Sequence, residues 1–363
     1  MDPGGGFLRR LFPSFRGARN YISLDIGSSS VKMLEFLRAD GASTHVRSAG
    51  LTPLEPSAVQ GNLIQDSEAV AEAIRHLVRE HRVKARDVIT AVPGPAVIIK
   101  RATFPIQSSE DLEETVLMEA GNFIPESLEN VTLDYQVIEE RPGTGELEVL
   151  LVAVRKEVVN SYVGVIAAAG LTPAVVDVDY FALENMFEMN YIPEPGAVDA
   201  LINLGARYST IHVLRGGRSA FTGDVAVGGR QFTEALMSAL GLGYGEAEQA
   251  KATGKSEGHS PDEIRACLAP PSEMIIDEIQ RALTFYWTGG AEERIHTIHL
   301  SGGTARLPGL AETMSERLRA PVQLTDPFRR IEISRRVDRQ FVAENASALA
   351  ISAGLAARSP DDR

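Results

Sequence analysis

Two glycine-bearing turns stand about half a chain apart. One is Asp25-Ile26-Gly27-Ser28-Ser29-Ser30-Val31-Lys32; the other is Asn203-Leu204-Gly205-Ala206-Arg207-Tyr208-Ser209-Thr210. Each follows an apolar run (Tyr21 to Leu24; Ala200 to Ile202) and leads into another β-rich run. The chemistry such turns support is anion binding. Glycine lets the backbone approach an anion, and the turn's N–H groups and hydroxyls donate to it. Two of them, facing each other across a cleft, are expected to clasp the phosphates of a nucleotide from both sides. Their repetition predicts two related half-domains. A glycine pair, Gly228-Gly229, precedes a predicted helix. It either aims a helix N-terminus at phosphates or permits close packing.

The elements that must position these turns alternate between strand and helix. Val31 to Leu37, Thr44 to Leu51, Asp87 to Val92 and Ala96 to Ala102 read as strands. Ser67 to Glu80 is an amphipathic helix with Val70, Ile74, Leu77 and Val78 on one face and Ser67 as its expected cap. Residues 103–155 have a different texture: an acidic helix over 109–123, then two strands around Pro142-Gly143-Thr144-Gly145. They predict a small inserted subdomain. Residues 241–271 are polar and predict a second insert with short helices. Ser272 to Trp287 is a long helix, and an alanine-rich helix spans 345–357. The alternation of hairpins with helices predicts α/β layers.

Composition narrows the function classes. A chain of 363 residues that is 44% hydrophobic fills more than one core, so two domains are expected. A net charge of −13 argues against nucleic acid as a ligand. Cys267 is the only cysteine, so no intrachain disulfide forms and a reducing compartment fits. No apolar run approaches the roughly 20 residues that span a bilayer, and no secretory signal pattern opens the chain. Residues 1–19 interleave arginines with Phe7, Leu8, Leu11, Phe12 and Phe15. They read as a disordered leader or as a weak membrane-surface anchor. The seven histidines and the cysteine show no metal-ligand spacing. There is no Gly-x-Ser-x-Gly elbow and no Walker-type loop, so no catalytic nucleophile is assigned.

The two turns and the strand-ending Ser301-Gly302-Gly303 resemble the nucleotide site of the superfamily of actin, sugar kinases and large heat-shock chaperones. Further strings narrow the resemblance: Glu119-Ala120-Gly121-Asn122-Phe123-Ile124-Pro125, Leu133-Asp134-Tyr135-Gln136-Val137, Val152 to Val159, Ala169-Gly170-Leu171, Asp177-Val178-Asp179-Tyr180-Phe181-Ala182-Leu183 and Ser352-Ala353-Gly354-Leu355-Ala356. In their order, over roughly residues 20–358, they resemble the PilM family of actin-like type IV pilus assembly proteins. The resemblance implies an α/β, actin-like ATPase fold of two lobes, each with a duplicated sheet-and-helix core and an inserted subdomain. The expected layout is a tail at 1–19, a first lobe at 20–102 and 156–197 interrupted by an FtsA-like insert at 103–155, and a second lobe at 198–240 and 272–338 around an insert at 241–271. Residues 339–363 are expected to return to the first lobe.

The resemblance also implies site residues. Asp25 would hold Mg²⁺ through water, since Mg²⁺ keeps several waters; the alternative is an aspartate that satisfies only turn N–H groups. Gly27, Ser28, Ser29, Ser30, Lys32, Asn203, Gly205, Gly228 and Gly229 form the phosphate side of an ATP site. Lys32 is alternatively an exposed strand lysine. Glu248 and Lys251, three apart on one helix face, with Gly302 and Gly303, would reach ribose and adenine; a solvated surface pair is the other reading. Asn203 departs from the acidic residue often found there. Asparagine is no base, so at most slow ATP hydrolysis is expected and enzyme status stays open. The implied partner is the N-terminal cytoplasmic peptide of PilN, bound beside the 103–155 insert, with Phe104, Phe123 and Ile124 as groove or core residues. Other inner-membrane and motor components of the pilus would follow, at the cytoplasmic face of the inner membrane. The alternatives are a small-molecule kinase of the same superfamily and an FtsA-like filament protein.

Overall fold

In this computed structural model the described residues are 20–38, 44–106, 108–141, 143–288 and 294–358. The expected leader, residues 1–19, lies outside them. The chain divides into two compact units, one running to Asp179 and including Arg358, the other Tyr180–Ala357.

In the first unit, β1 (Asn20–Ile26), β2 (Ser30–Arg38) and β3 (Thr44–Pro53) form an antiparallel meander. Tyr21, Ile22 and Leu24 are all buried, so both faces of β1 are covered. A short hairpin of β4 (Val59–Gln60) and β5 (Leu63–Ile64) precedes α1 (Ser67–Glu80). Asp66, rather than Ser67, caps this helix: its carboxylate accepts the Ala69 N–H at 2.9 Å. A carboxylate there satisfies an orphan donor and meets the positive end of the helix dipole. β6 (Asp87–Val92) pairs parallel with β1, and β10 (Thr172–Val178) parallel with β6. The order is β10-β6-β1-β2-β3.

Between β6 and β10 the chain builds the inserted block. β7 (Val97–Pro105), α2 (Ser109–Phe123), β8 (Val131–Arg141) and β9 (Glu146–Arg155) give a three-stranded sheet, β7-β9-β8, with a helix. The block has its own small core of Ala102, Phe104, Leu112, Val116, Leu147, Val149 and Leu151. Helix α3 (Lys156–Ala168) then returns the chain to β10.

Helix α4 (Asp179–Asn190) carries the chain into the second unit. There β11 (Val198–Leu204), β12 (Ser209–Arg215) and β13 (Arg218–Val225) repeat the antiparallel meander. After α5 (Gly229–Leu240), α6 (Tyr244–Thr253) and α7 (Pro261–Thr288), β14 (Thr297–Ser301) joins β11 in parallel. Past α8 (Leu310–Leu318), β15 (Val322–Leu324) joins β14 in parallel. The order β13-β12-β11-β14-β15 has the connectivity of the first sheet: a three-strand meander with two parallel strands beyond its first member. The duplication expected from the two turns is thus present in the topology. Helices α9 (Arg339–Asn345) and α10 (Ala350–Gly354) complete the unit.

Two boundaries differ from expectation. The passage between units falls at Asp179/Tyr180, not near residue 197, and only Arg358 among the described C-terminal residues joins the first unit. The cause is packing. Phe187 and Tyr191 set their rings edge-on to His299 of β14, at 4.8 and 4.9 Å, and α10 lies on Ala182 and Met186. Arg358 donates to the buried Asp177 at 2.6 Å. The long helix also starts earlier than predicted. α7 runs through Pro270 and Pro271, because Ile264, Leu268, Ile275, Ile276, Ile279 and Leu283 share one continuous core. That stripe outweighs the hydrogen bonds that two prolines remove.

Candidate functional site

The first turn is built by register. In the β1–β2 pair Asp25 stands directly opposite Lys32, so both side chains share one face. Lys32 Nζ lies 3.0 Å from the Asp25 carboxylate, each side chain 14% exposed. Lys32 is therefore held over the turn and is not an exposed strand lysine. The Gly27 N–H donates to Ser30 O at 3.0 Å, and a Cβ on Gly27 would sit 2.9 Å from Lys32 Nζ. Ser28 and Ser29 are half-buried, and Ser30 is buried. Beneath the turn Tyr162 donates its hydroxyl to Ile26 O at 3.4 Å. Burial, with the charges of Asp25 and Asp179, pushes the Tyr162 hydroxyl well above its ordinary range, so it stays a donor.

The second turn has the same construction. Asn203 stands opposite Thr210, and the Gly205 N–H donates to Tyr208 O at 3.2 Å. The supporting parallel strand matches as well. Thr90 Oγ1 donates to Leu24 O at 2.8 Å in the first unit; Ser301 Oγ donates to Ile202 O at 3.3 Å in the second. Each hydroxyl fixes the residue before Asp25 or Asn203. Asn203 is 8% exposed, and its Oδ1 lies 3.4 Å from Ser301 Oγ.

Around the second turn, three more expected pieces converge. Gly228 packs on the turn: its Cβ would meet Gly205 O at 2.6 Å. The Gly229 and Arg230 N–H groups donate to Gly205 O and Ala206 O, both at 2.8 Å, and the Gly228 N–H to Gln231. These donors are spent inside the protein. Gly228 and Gly229 thus serve close packing, and the expectation that they offer N–H groups to phosphates is corrected. Lys251 of α6 reaches the same place, with Nζ 2.6 Å from Glu248, 2.9 Å from Thr233 Oγ1 and 3.3 Å from Gly229 O. At 13% exposure Lys251 is no solvated surface lysine. Beyond Gly302 and Gly303, Thr304 Oγ1 donates to Gly205 O at 3.1 Å. Gly302 has φ of +95°, and its Cβ would lie 2.3 Å from Leu204 O. Four sequence-distant pieces of the second unit therefore form one cradle, and close backbone contact requires glycine at Gly205, Gly228 and Gly302.

Among the described residues no group of three or more His, Cys, Asp or Glu could hold a metal ion. The acidic group at the first turn is Asp25, whose carboxylate is paired with Lys32.

The groove expectation changes. Phe104 and Ile124 are each 3% exposed; Phe104 meets Phe123 ring to ring at 6.2 Å inside the block. They are core residues, since their apolar area goes to holding the insert together. The exposed apolar side chains of the block are instead Ile106, Leu117, Met118, Val137 and Ile138. Two titratable groups escaped the sequence reading. Tyr180 donates its hydroxyl to Asp224, whose carboxyl desolvation pushes up to about 6. His212, buried on β12, is pushed down to about 4. Neither lies in a recognisable motif.

Residues 23–360 match the family described as "Type IV pilus assembly protein PilM". Among solved structures, the chain is similar to one described as the PilM–PilN type IV pilus biogenesis complex, with a TM-score of 0.81, 25% identity, and coverage of 95% of this chain and 98% of that one. It is similar in fold to the ethanolamine utilization protein EutJ of Carboxydothermus hydrogenoformans (TM-score 0.59, 15% identity, 97% and 94% covered). It also resembles in fold MreB5 of Spiroplasma citri bound to ADP (TM-score 0.50, 14% identity, 93% and 95% covered). The fold is the actin-like ATPase fold. No helix of the described residues is long and apolar enough to cross a membrane.

Proposed function

The chain belongs to the PilM family of type IV pilus assembly proteins, and on that premise we propose that it is an ATP-binding scaffold that docks the N-terminal cytoplasmic peptide of PilN at the inner face of the inner membrane. One observation carries the nucleotide half: the cradle in which the second turn, Gly228-Gly229, the Glu248–Lys251 pair and Gly302–Thr304 meet. Asn203, Gly205 and the first turn's Gly27, Ser28, Ser29, Ser30 and Lys32 take the phosphates. Lys251 and Glu248 take the ribose side, Gly302 and Gly303 the adenosine. Asp25 is the residue that would hold, through water, the Mg²⁺ that accompanies ATP, and that ion would offset phosphate charge. Asn203 supplies no general base, so binding rather than turnover is the output.

Titration calorimetry with Mg-ATP tests this directly. Asp25→Asn and Lys251→Met are each expected to weaken ATP at least tenfold, about 1.4 kcal/mol, while exposed Arg265→Ala leaves it unchanged. Wild-type affinity in both variants would remove the nucleotide reading.

The peptide half rests on the 97–155 block. Its exposed Leu117 (52%) and Met118 (74%) on α2 supply apolar area without loosening its core. Leu117→Glu with Met118→Glu is expected to weaken a synthetic PilN N-terminal peptide more than tenfold. Nucleotide and peptide are coupled, and coupling is reciprocal in binding free energy. The factor by which ATP changes peptide affinity must equal the factor by which peptide changes ATP affinity. Affinities that are mutually independent would end the coupling while leaving each binding site standing.

A further inference from the structure

A cavity of about 630 Å³ opens in the second unit, within the range of small-molecule pockets, roughly 300–1,000 Å³. Its walls come from the end of β15 and the loop after it, from α9 and the turn beyond, and from Arg306 past the Gly302 turn. Much of the lining is apolar, with Phe328, Ile331 and Val342 all buried.

Three features mark it as a binding site. Thr325 and Ser347, each 3% exposed, line it, and their hydroxyl oxygens are buried with no hydrogen-bond partner. Buried hydroxyls ordinarily have one, and rotation about χ1 re-aims such a group without backbone movement. Arg339 lines the cavity with an exposed guanidinium that has no partner among the described residues. Arg306 differs, being held by the carbonyls of Ala343 and Glu344. The charge around the cavity is also unusual. Residues 328–339 carry five arginines against two acids, in a chain of net charge −13. The lining carboxylate, Asp326, accepts the Phe328 N–H at 2.9 Å and the lining is otherwise cationic or neutral.

We propose that this cavity binds a small organic anion, a phosphate or carboxylate carried on an apolar body. Arg339 takes the charge, the Thr325 and Ser347 hydroxyls take polar atoms, and the apolar wall takes the body. Ser347 O accepts the Gly302 N–H at 2.7 Å, so an occupant bears on the Gly302 turn from the side of the C-terminal helices.

The test uses 8-anilinonaphthalene-1-sulfonate, an aromatic anion, on the full chain, read by fluorescence. Saturable one-to-one binding is expected. Arg339→Glu and Ala343→Phe are each expected to weaken it at least tenfold with unchanged thermal melts; Ala343 is exposed, so the larger ring blocks the cavity without entering the core. Displacement by phenyl phosphate or by benzoate, which share one apolar body, tells which anion the site prefers. No saturable binding, or equal binding to both variants, overturns the proposal. Mg-ATP separates it from the nucleotide reading. Retained probe binding at saturating Mg-ATP supports a distinct site. Stoichiometric displacement, with ATP itself weakened tenfold by Arg339→Glu, overturns it and assigns the cavity to the nucleotide.

Discussion

Replacing Gly354 with alanine is expected to destabilise the second unit by about 3 kcal/mol. Gly354 ends α10, where the helix rests on α4 with no side chain between them. A Cβ there would lie 1.7 Å from Ala182 O, 2.6 Å from Ala182 C and 3.0 Å from Met186 N. These are backbone atoms of a helix whose Ala182 and Met186 are fully buried, so no rotamer change relieves the clash. The helices must separate, exposing Leu349 and Leu355, which are now at 0%. Trp287 is the only tryptophan and packs against the second unit's core, so its fluorescence reports that unit's melting. Its midpoint should fall by about 6–12 °C, at about 2–4 °C per kcal/mol. Gly164→Ala is the control. Gly164 lies exposed in α3 with nothing near its absent Cβ. There the same substitution should stabilise the first unit by about 1 kcal/mol through helix propensity. An unchanged Trp287 midpoint in Gly354→Ala would mean that α10 does not bear on α4.

That contact explains part of what the sequence disclosed. The strings Asp179 to Leu183 and Ser352 to Ala356, far apart in the chain, meet at Ala182 and Gly354. Their small residues are what two touching backbones require. The turns were legible for a similar reason: alternation fixes hairpin register, and register alone puts Lys32 beside Asp25. What stayed hidden depends on partners that local pattern does not specify. Prolines 270 and 271 read as a boundary, yet a core stripe on both sides carries α7 through them. Gly228-Gly229 read equally as an anion nest or a packing pair, because nothing local says that the Gln231 side chain and the Gly205 carbonyl occupy its two N–H groups. Phe104 and Ile124 had the composition of a groove, but a three-stranded block needs them for its interior. The unit boundary at Asp179 was hidden because α4 follows β10 directly and its allegiance is set by β14 and α10.

Acid is expected to cost the second unit about 3 kcal/mol through His212 alone. The ring is fully buried, with Nδ1 3.1 Å from Tyr180 O and Nε2 2.9 Å from Ser219 Oγ. Neutral histidine satisfies both contacts, donating to the carbonyl and accepting from the hydroxyl. The Glu184 carboxylate, at 3.6 Å, is too far for a hydrogen bond. Burial pushes the ring down to about 4, against the smaller upward pull of the Tyr180 carbonyl. In the unfolded chain it titrates near 6.5. Between those values the unfolded state binds the extra proton, so stability is whole above about pH 6.5 and falls as pH drops toward about 4. Asp224 works the other way in this window. Its carboxyl, raised to about 6, withholds stability at neutral pH and restores some as acid protonates it. A comparison with His212→Asn isolates the histidine, because Asp224 is common to both proteins. The asparagine amide keeps a donor for Tyr180 O, and the smaller side chain costs stability equally at every pH. Urea unfolding followed by Trp287 at pH 7.5 and 4.5 should show a wild-type loss that exceeds the variant's by about 2–3 kcal/mol. Equal losses in the two proteins would show that His212 is charged in the folded state, and its ring would then have to be paired with Glu184 after all.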